Sequence, residues 1–412
     1  MASEPGMVIV GAGECGARAA LTLREEGYDG PVTLIGREPH LPYERPPLSK
    51  DLMLGTEHPA ARIVINEDRL KKAGIDHLAR SEAAAIVRQA RHVVLGNGLR
   101  LPYEKLLLAT GCQPRRLPAV ADNSRCVTLR TFDDALAIRT HLHRGVRLVV
   151  VGGGFIGLEL AAAARQLGCP VTVLEAQPRI LMRGVPEEIA GIIDARHAAH
   201  GVHLHCGVSI ETLTETAAGI KVRLNNGVAI EADIALIGIG AVPETALAER
   251  AGLAVENGIA VDAFLQTDDP AVFAAGDCCS FPLVLYSGRR VRLEAWRNAQ
   301  EQGALAARNM LGSKEAHAAV PWFWSDQYDL GLQIAGLTDE GRETVRRDMG
   351  NGALILFHLA ADGRLVAASG IGPGNAIARD IRLAEMLIAR RASPPRDRLA
   401  APEAKLKTLL AA

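Results

Sequence analysis

At 412 residues the chain is too long for one ordinary hydrophobic core, so two or three domains are expected. Its 48% hydrophobic and 23% charged content is that of a globular protein rather than a disordered, collagenous or membrane-spanning one. A net charge of −1 leaves no overall basic field of the kind nucleic-acid binding asks for.

Met1 to Met7 lack the charged, apolar and cleavage segments of a secretory leader, which makes a cytoplasmic protein the expectation. The chain then reads Met7-Val8-Ile9-Val10 as a strand, Gly11-Ala12-Gly13-Glu14-Cys15-Gly16 as a glycine turn, a helix through Glu26, and the strand Val32–Ile35. The same unit recurs as the strand Arg147–Val151, the turn Gly152-Gly153-Gly154-Phe155-Ile156-Gly157, the helix Leu158–Leu167 and the strand Val171–Leu174. The apolar stretch Leu148–Ala164, broken by glycines and by Glu159, is therefore a buried strand running into a helix and not a membrane span. One such glycine pattern is weak evidence. Two, each between a strand and a helix, are strong evidence for two dinucleotides, each with its pyrophosphate at a helix start.

Further along, Leu106 to Gly111 and Ala235 to Gly240 are apolar strands ending in turns, and Val272 to Asp277 is a buried strand ending on glycine and a carboxylate. From about Pro321 the character changes: Ala353–Leu359 and Leu365–Ser369 read as strands around a turn at Asp362-Gly363, and Ala376–Ala389 as a helix. The tail with Pro394-Pro395 and Pro402 is expected on the surface. Seven scattered cysteines show no C-x-x-C pair, the neighbours Cys278 and Cys279 cannot bridge without strain, and the 12 histidines form no metal-ligand pattern.

The order of the two glycine turns, the Ala109-Thr110-Gly111 segment and the Phe273-Ala274-Ala275-Gly276-Asp277 segment resembles the two-dinucleotide-binding-domain flavoprotein reductases, with the pyridine nucleotide-disulfide oxidoreductase fold. Pro42–Lys50, Arg292–Ala299 and Pro321–Gln327 are similar to the NADH:ferredoxin reductases of Rieske-type oxygenase and bacterial cytochrome P450 systems. The resemblance implies an α/β protein with two Rossmann-like domains and a small C-terminal α+β domain. FAD would occupy a discontinuous domain (1–112 and 241–319), NADH an inserted one (113–240), and residues 320–412 would form the last. It further implies hydride transfer from NADH to FAD and single-electron transfer to a [2Fe–2S] ferredoxin, in a monomer or homodimer without nucleic-acid or membrane partners.

Residue by residue, the resemblance assigns Gly11, Gly13, Cys15, Gly16, Arg45, Lys50, Ala83, Ala109, Thr110, Gly111, Arg130, Gly276, Asp277 and Trp296 to FAD. Lys50 would lie near the flavin N5–O4 edge, and Lys50 and Glu159 are the catalytic candidates. The acid expected at the end of the first unit's second strand is replaced: the chain reads Gly36-Arg37-Glu38, so either Glu38 meets the ribose or Arg37 stacks on the adenine. For NAD the candidates are Gly152, Gly154, Ile156, Gly157, Glu159, Glu175 and Arg183. Glu175 closes its strand where a carboxylate accepts from ribose hydroxyls and repels a 2′-phosphate, which favours NADH, although Arg179 and Arg183 stand nearby.

No cysteine lies between Gly16 and Cys112, where the disulfide reductases and peroxidases of this fold carry theirs. Rubredoxin- or nitrite-reductase-type reductases, NADH oxidases and redox-sensing proteins like the apoptosis-inducing flavoproteins remain alternatives. Arginines 289, 290, 292 and 297, with 342, 346 and 347, are candidates for meeting an acidic ferredoxin.

Overall fold

The computed structural model describes residues 4–55, 59–117 and 125–410; residues 1–3 of the leader reading and 411–412 of the tail lie outside them. The chain divides into two compact units. One comprises Met1–Glu44, Ala61–Gln113 and Val242–Ala319; the other comprises Arg45–Ala60, Pro114–Ala241 and Val320–Ala412. The segment 45–60, which carries Lys50, thus groups with the second unit.

In the first unit the strands Ile75–Leu78, Val32–Ile35, Gly6–Val10 and Arg100–Leu108 lie parallel in that order, with Val272–Ala274 added parallel to the last. Gly6–Val10 and Leu106–Leu108 are buried at every position. Unbroken apolar runs of this kind belong to parallel strands covered on both faces. The helix Glu14–Glu25, which follows the first glycine turn, packs on the helix Trp296–Met310. A Cβ at Gly303 would sit 2.4 Å from the Cys15 carbonyl oxygen, so the crossing of these helices requires glycine there.

In the second unit, Val202–Cys206, Val171–Glu175, Leu148–Val151, Ile234–Ile237 and Cys126–Val127 form a parallel sheet in that order. An antiparallel layer, Ile210–Thr216, Gly219–Leu224 and Ala229–Ala232, closes one face through Leu213, Ile220, Val222 and Leu224 packed on Val149, Val151 and Leu174. The last part is a five-stranded antiparallel sheet in the order Trp322–Gln327, Leu330–Gly336, Leu365–Pro373, Ala353–Leu359 and Glu343–Gly350. The helix Ala378–Ala389, two residues shorter at its start than expected, covers it with Ile381 against Gly370. No helix among the described residues is long and apolar enough to cross a membrane.

The tail runs over the surface, as its prolines suggest, with most of its residues exposed, yet it is anchored at a few points. It forms the short helix Arg396–Ala400 and a turn at Leu406–Leu410, and Leu399 and Leu406 are fully buried. Arg347, 1% exposed, donates to the carbonyls of Leu399, Pro402 and Ala404 and so holds the tail from within. Burial lowers its pKa, yet a guanidinium remains charged at any working pH. Arg347→Met removes the donors and leaves three carbonyls wanting partners, a loss of about 3 kcal/mol. Urea unfolding and limited proteolysis of the C-terminus are expected to report both the lower midpoint and a released tail.

Candidate functional site

The two glycine turns obey the same steric logic. A Cβ at Gly11, whose φ is +116°, would lie 2.1 Å from the Ala109 carbonyl oxygen, and one at Gly16 would lie 1.9 Å from that of Gly11. In the second copy, Gly152 at φ +109° would meet the Gly238 carbonyl at 2.3 Å, and Gly157 that of Gly152 at 2.4 Å. The outer glycines are therefore required by the fold itself. The middle ones are not: a Cβ at Gly13 or Gly154 meets nothing within 4 Å. Each of these is the N-cap of its helix and has no side chain to cap the first N–H groups. Uncapped N–H groups, the helix dipole and room for close backbone approach together suit a pyrophosphate. Both turns stand at the carboxyl ends of parallel strands, between the strand that the following helix leads to and a neighbour on the other side, where open α/β sheets bind ligands.

Around the first turn, several expected FAD contacts converge. Ala109 donates its N–H to Val10, and Thr110 Oγ1 donates to the Glu244 carbonyl at 2.6 Å, which fixes the Ala109-Thr110-Gly111 turn beside Gly11. Gly276, at φ +80°, faces Cys15, which a Cβ there would approach to 3.1 Å, and its N–H is held by buried Gln302 at 2.7 Å. The Asp277 carboxylate accepts from the Cys112 thiol at 3.5 Å. Trp296 opens its helix half-buried and donates Nε1–H to Glu14 at 3.0 Å, while Gln300 donates to the other oxygen at 2.9 Å. Burial raises the pKa of Glu14, with those two hydrogen bonds pulling the other way.

At the end of Val32–Ile35, Gly36 accepts from the Ser81 N–H and Glu38 from that of Arg80, which brings the start of the Ala83 strand alongside. The Glu38 carboxylate accepts a hydrogen bond from the Tyr43 hydroxyl, whereas Arg37 is exposed. Cys15, Cys278 and Cys279 are free and buried, and burial pushes their thiols up, so they are neutral and poor nucleophiles.

Around the second turn, Glu175 Oε2 accepts the Gly153 N–H at 2.6 Å and Oε1 that of Gln177 at 2.7 Å. Two backbone donors hold this carboxylate at the strand end, with lone pairs left for hydroxyls. Arg179, one of the two arginines that argued for a 2′-phosphate, is committed to the carbonyls of Ile180, Leu181 and Val185. Arg183 is exposed, and Ile156 presents its apolar side chain to solvent next to the turn.

The second unit also brings together the two catalytic candidates, which lie 109 positions apart. Pro46–Ser49 forms a 3-10 turn, stiffened by its two prolines, that leads through Lys50 into the short helix Asp51–Leu54. Both pack on the helix Phe155–Gln166, which bears Glu159. Lys50 Nζ stands 3.5 Å from Glu159 Oε1, 3.4 Å from Asp326 Oδ2 and 5.3 Å from the centre of the Trp324 ring. Glu159 is 8% exposed; Ser49 donates to it at 2.5 Å and Ser325 at 2.6 Å. Burial raises its pKa, opposed first by Lys50 and then by the two hydroxyls. Arg45 Nη1 donates to the Arg130 carbonyl at 2.6 Å, which joins two of the expected FAD contacts in this same unit.

Ser49, Ser325 and Glu14 belong to this picture although sequence reasoning gave them no role. Ser325 and Gln327 carried a usable signal, since they are polar residues two apart on one face of a strand. The arginines proposed as a docking surface are largely committed elsewhere. Arg290 donates to the carbonyls of Val261 and Ser280, Arg292 pairs with Glu294 at 2.6 Å, Arg297 with Glu301, and Arg346 with Glu188 and Asp348. Arg347 is buried under the tail.

Residues 5–303 match the family described as pyridine nucleotide-disulphide oxidoreductase, and residues 322–410 match the reductase C-terminal family. The chain is 42% identical over 414 residues, 100% of both sequences, to the anthranilate 1,2-dioxygenase system ferredoxin–NAD(+) reductase component of Burkholderia cepacia. It is 36% identical over 97% of both to the p-cumate 2,3-dioxygenase system ferredoxin–NAD(+) reductase component of Pseudomonas putida. Its structure superposes with a TM-score of 0.93 on a chain of the covalent putidaredoxin reductase–putidaredoxin complex, at 32% identity and 99% coverage of both.

Gly154→Ala and Gly157→Ala separate the two steric requirements. The first adds a methyl to open space and is expected to leave the fold intact while weakening NADH binding about tenfold or more. The second drives a Cβ into the Gly152 carbonyl and is expected to lower the thermal midpoint. Binding titrations alongside thermal unfolding distinguish them; undiminished NADH affinity in Gly154→Ala removes the ligand-based account of the middle glycine.

Proposed function

The chain belongs to the pyridine nucleotide-disulphide oxidoreductase family, with a reductase C-terminal domain appended, and from this we propose that it is an NADH:ferredoxin reductase using FAD. The observation that carries the reading is the pair of open middle glycines, Gly13 and Gly154, one at the head of each parallel sheet. One chain thereby holds two dinucleotides, a flavin nucleotide on the first turn and a nicotinamide nucleotide on the second. FAD, when bound, supplies the chemistry of accepting a hydride and returning its electrons one at a time.

The protein's own part is binding, orientation and electrostatics. Gly13 and the N–H groups after it receive the FAD pyrophosphate, Gly276 leaves the cofactor room, and Asp277 offers its carboxylate to the ribityl or pyrophosphate region. Glu38, which accepts from Tyr43 and keeps lone pairs for a ribose hydroxyl, and the exposed Arg37, which can stack on the adenine, stand at the adenosine end. Gly154 and its neighbours receive the NADH pyrophosphate, Glu175 the adenosine ribose, and Ile156 the apolar part of the nucleotide. Glu159 is the carboxylate at the nicotinamide end. Lys50 is the cation assigned to the flavin, and its positive charge favours the electron-rich reduced ring. Electrons leave to a ferredoxin, here a [2Fe–2S] protein, in keeping with relatives that are ferredoxin–NAD(+) reductase components of dioxygenase systems. The thiols of Cys15, Cys278 and Cys279 take no nucleophilic part, since burial pushes them up. The reading places the protein in the cytoplasm, where NADH is available.

The purified FAD-loaded protein is expected to oxidise NADH rapidly with ferricyanide or a [2Fe–2S] ferredoxin and slowly with air; fast turnover on oxygen alone contradicts the assignment. Glu175→Ala is expected to lower the ratio of kcat/KM for NADH over NADPH by about tenfold, because it removes an acceptor for the ribose hydroxyls and a charge that repels the 2′-phosphate. An unchanged ratio removes Glu175 from cofactor selection.

A further inference from the structure

Glu159 is the end of a polar chain that runs from the nucleotide-binding half of the second unit into its C-terminal sheet and back. Ser325 Oγ lies 2.6 Å from Glu159 Oε1, Gln327 Nε2 lies 3.1 Å from Ser325 Oγ, and His197 Nε2 lies 2.8 Å from Gln327 Oε1. All three intermediates are buried, at 1%, 3% and 0% exposure for Ser325, Gln327 and His197. Ser325 and Gln327 come from the strand Trp322–Gln327, and His197 from the helix Glu187–Ala199.

The direction of the chain follows from the proton inventory. Ser325 has one hydroxyl proton, and an adjacent carboxylate is its strongest acceptor, so it donates to Glu159. Its oxygen must then accept, which turns the Gln327 NH2 toward it and the Gln327 carbonyl toward His197. His197 must answer with Nε2–H, which leaves Nδ1 as an acceptor facing the Tyr328 hydroxyl at 3.5 Å. Every donor points inward to Glu159. A neutral imidazole suffices for this role, and burial lowers the His197 pKa.

We propose that Gln327, its amide oriented by His197, is a positioning residue that fixes the Ser325 hydroxyl on Glu159 and so favours the ionised form of this buried carboxylate beside Lys50. The proposal rests on the reading of Glu159 as the carboxylate at the nicotinamide end. The other groups around it are accounted for. Ser49 and Lys50 face it from the segment 45–60, whose exposed Asp51 begins the adjoining helix; Asp326 reaches Lys50 from the far side; Glu175, on the strand packed against the Glu159 helix, is engaged by Gly153 and Gln177. With His197 lost, the Gln327 amide is free to turn its oxygen to Ser325 and compete with Glu159 for the hydroxyl proton. The ionised form of Glu159 then loses a donor, and its pKa rises.

Infrared difference spectra of the oxidised, FAD-loaded protein between pH steps read the Glu159 carboxyl directly, the band being assigned by its loss in Glu159→Gln. His197→Phe and Gln327→Met are each expected to raise the protonation midpoint by about half a pH unit, roughly a threefold change in proton affinity. His197→Gln, which keeps an N–H donor, is expected to restore the original midpoint. In stopped-flow reduction by NADH, the acid limb of the rate profile moves by the same amount in the same direction. An unchanged midpoint in both His197→Phe and Gln327→Met overturns the proposal, and where one of them fails to fold, the other decides. If Glu159→Gln leaves flavin reduction by NADH undiminished, the reading of Glu159 falls, while the infrared midpoints still decide the positioning role.

Discussion

The closest constraint in the molecule is the approach of each glycine turn to the end of a neighbouring strand. Gly11 lies against the Ala109 carbonyl and Gly152 against that of Gly238, at separations that no side chain tolerates. This contact brings a helix start to the carboxyl edge of each parallel sheet, and the third glycine of each turn lets the helix lie close to its own loop. The first N–H groups receive no cap from the N-cap residue, because in each helix that residue is a glycine without a side chain. Adding a methyl at the outer positions would displace the strand end, the turn and the helix together. At the middle positions the fold makes no such demand, and this difference within one short motif is what marks it as a binding site.

A second constraint is electrostatic. Glu159 sits in the helix of the second turn, nearly inaccessible to water, where an isolated carboxylate would be costly. The cost is offset by one cation and two hydroxyls brought from distant parts of the chain: Ser49 and Lys50 from a proline-stiffened turn, and Ser325 from the first strand of the C-terminal sheet. The C-terminal sheet is thereby more than an appendage, since it supplies one of the hydrogen bonds that favour the ionised form of this buried carboxylate. The aromatic ring of Trp324 and the carboxylate of Asp326 add to the surroundings of Lys50 from the same strand.

Charges elsewhere show how readily a sequence count misleads. Arginines clustered in the sequence near Trp296 and in the last sheet look like a basic docking face. Most are consumed by neighbouring carbonyls and carboxylates, and Arg347 is turned wholly inward to hold the tail. Surface ion pairs of this kind contribute little to stability, but they do decide which charges are left for a partner.

The sequence by itself determined the two Rossmann-type units, their order and the small α+β ending. These are written in local periodicity: unbroken apolar strands, glycines at fixed spacing and helices of matching length. It also singled out Lys50 and Glu159 as candidates through the resemblance, and Glu175 through its place at a strand end. Only the tertiary structure decided what those side chains meet. That Lys50 and Glu159 are 3.5 Å apart, that Ser325 and Gln327 close the circuit through His197, and that Arg347 is buried under the tail all depend on contacts between residues far apart in the chain. A local pattern fixes which face a residue occupies; the partner across that face is chosen by packing, which no window of the sequence contains.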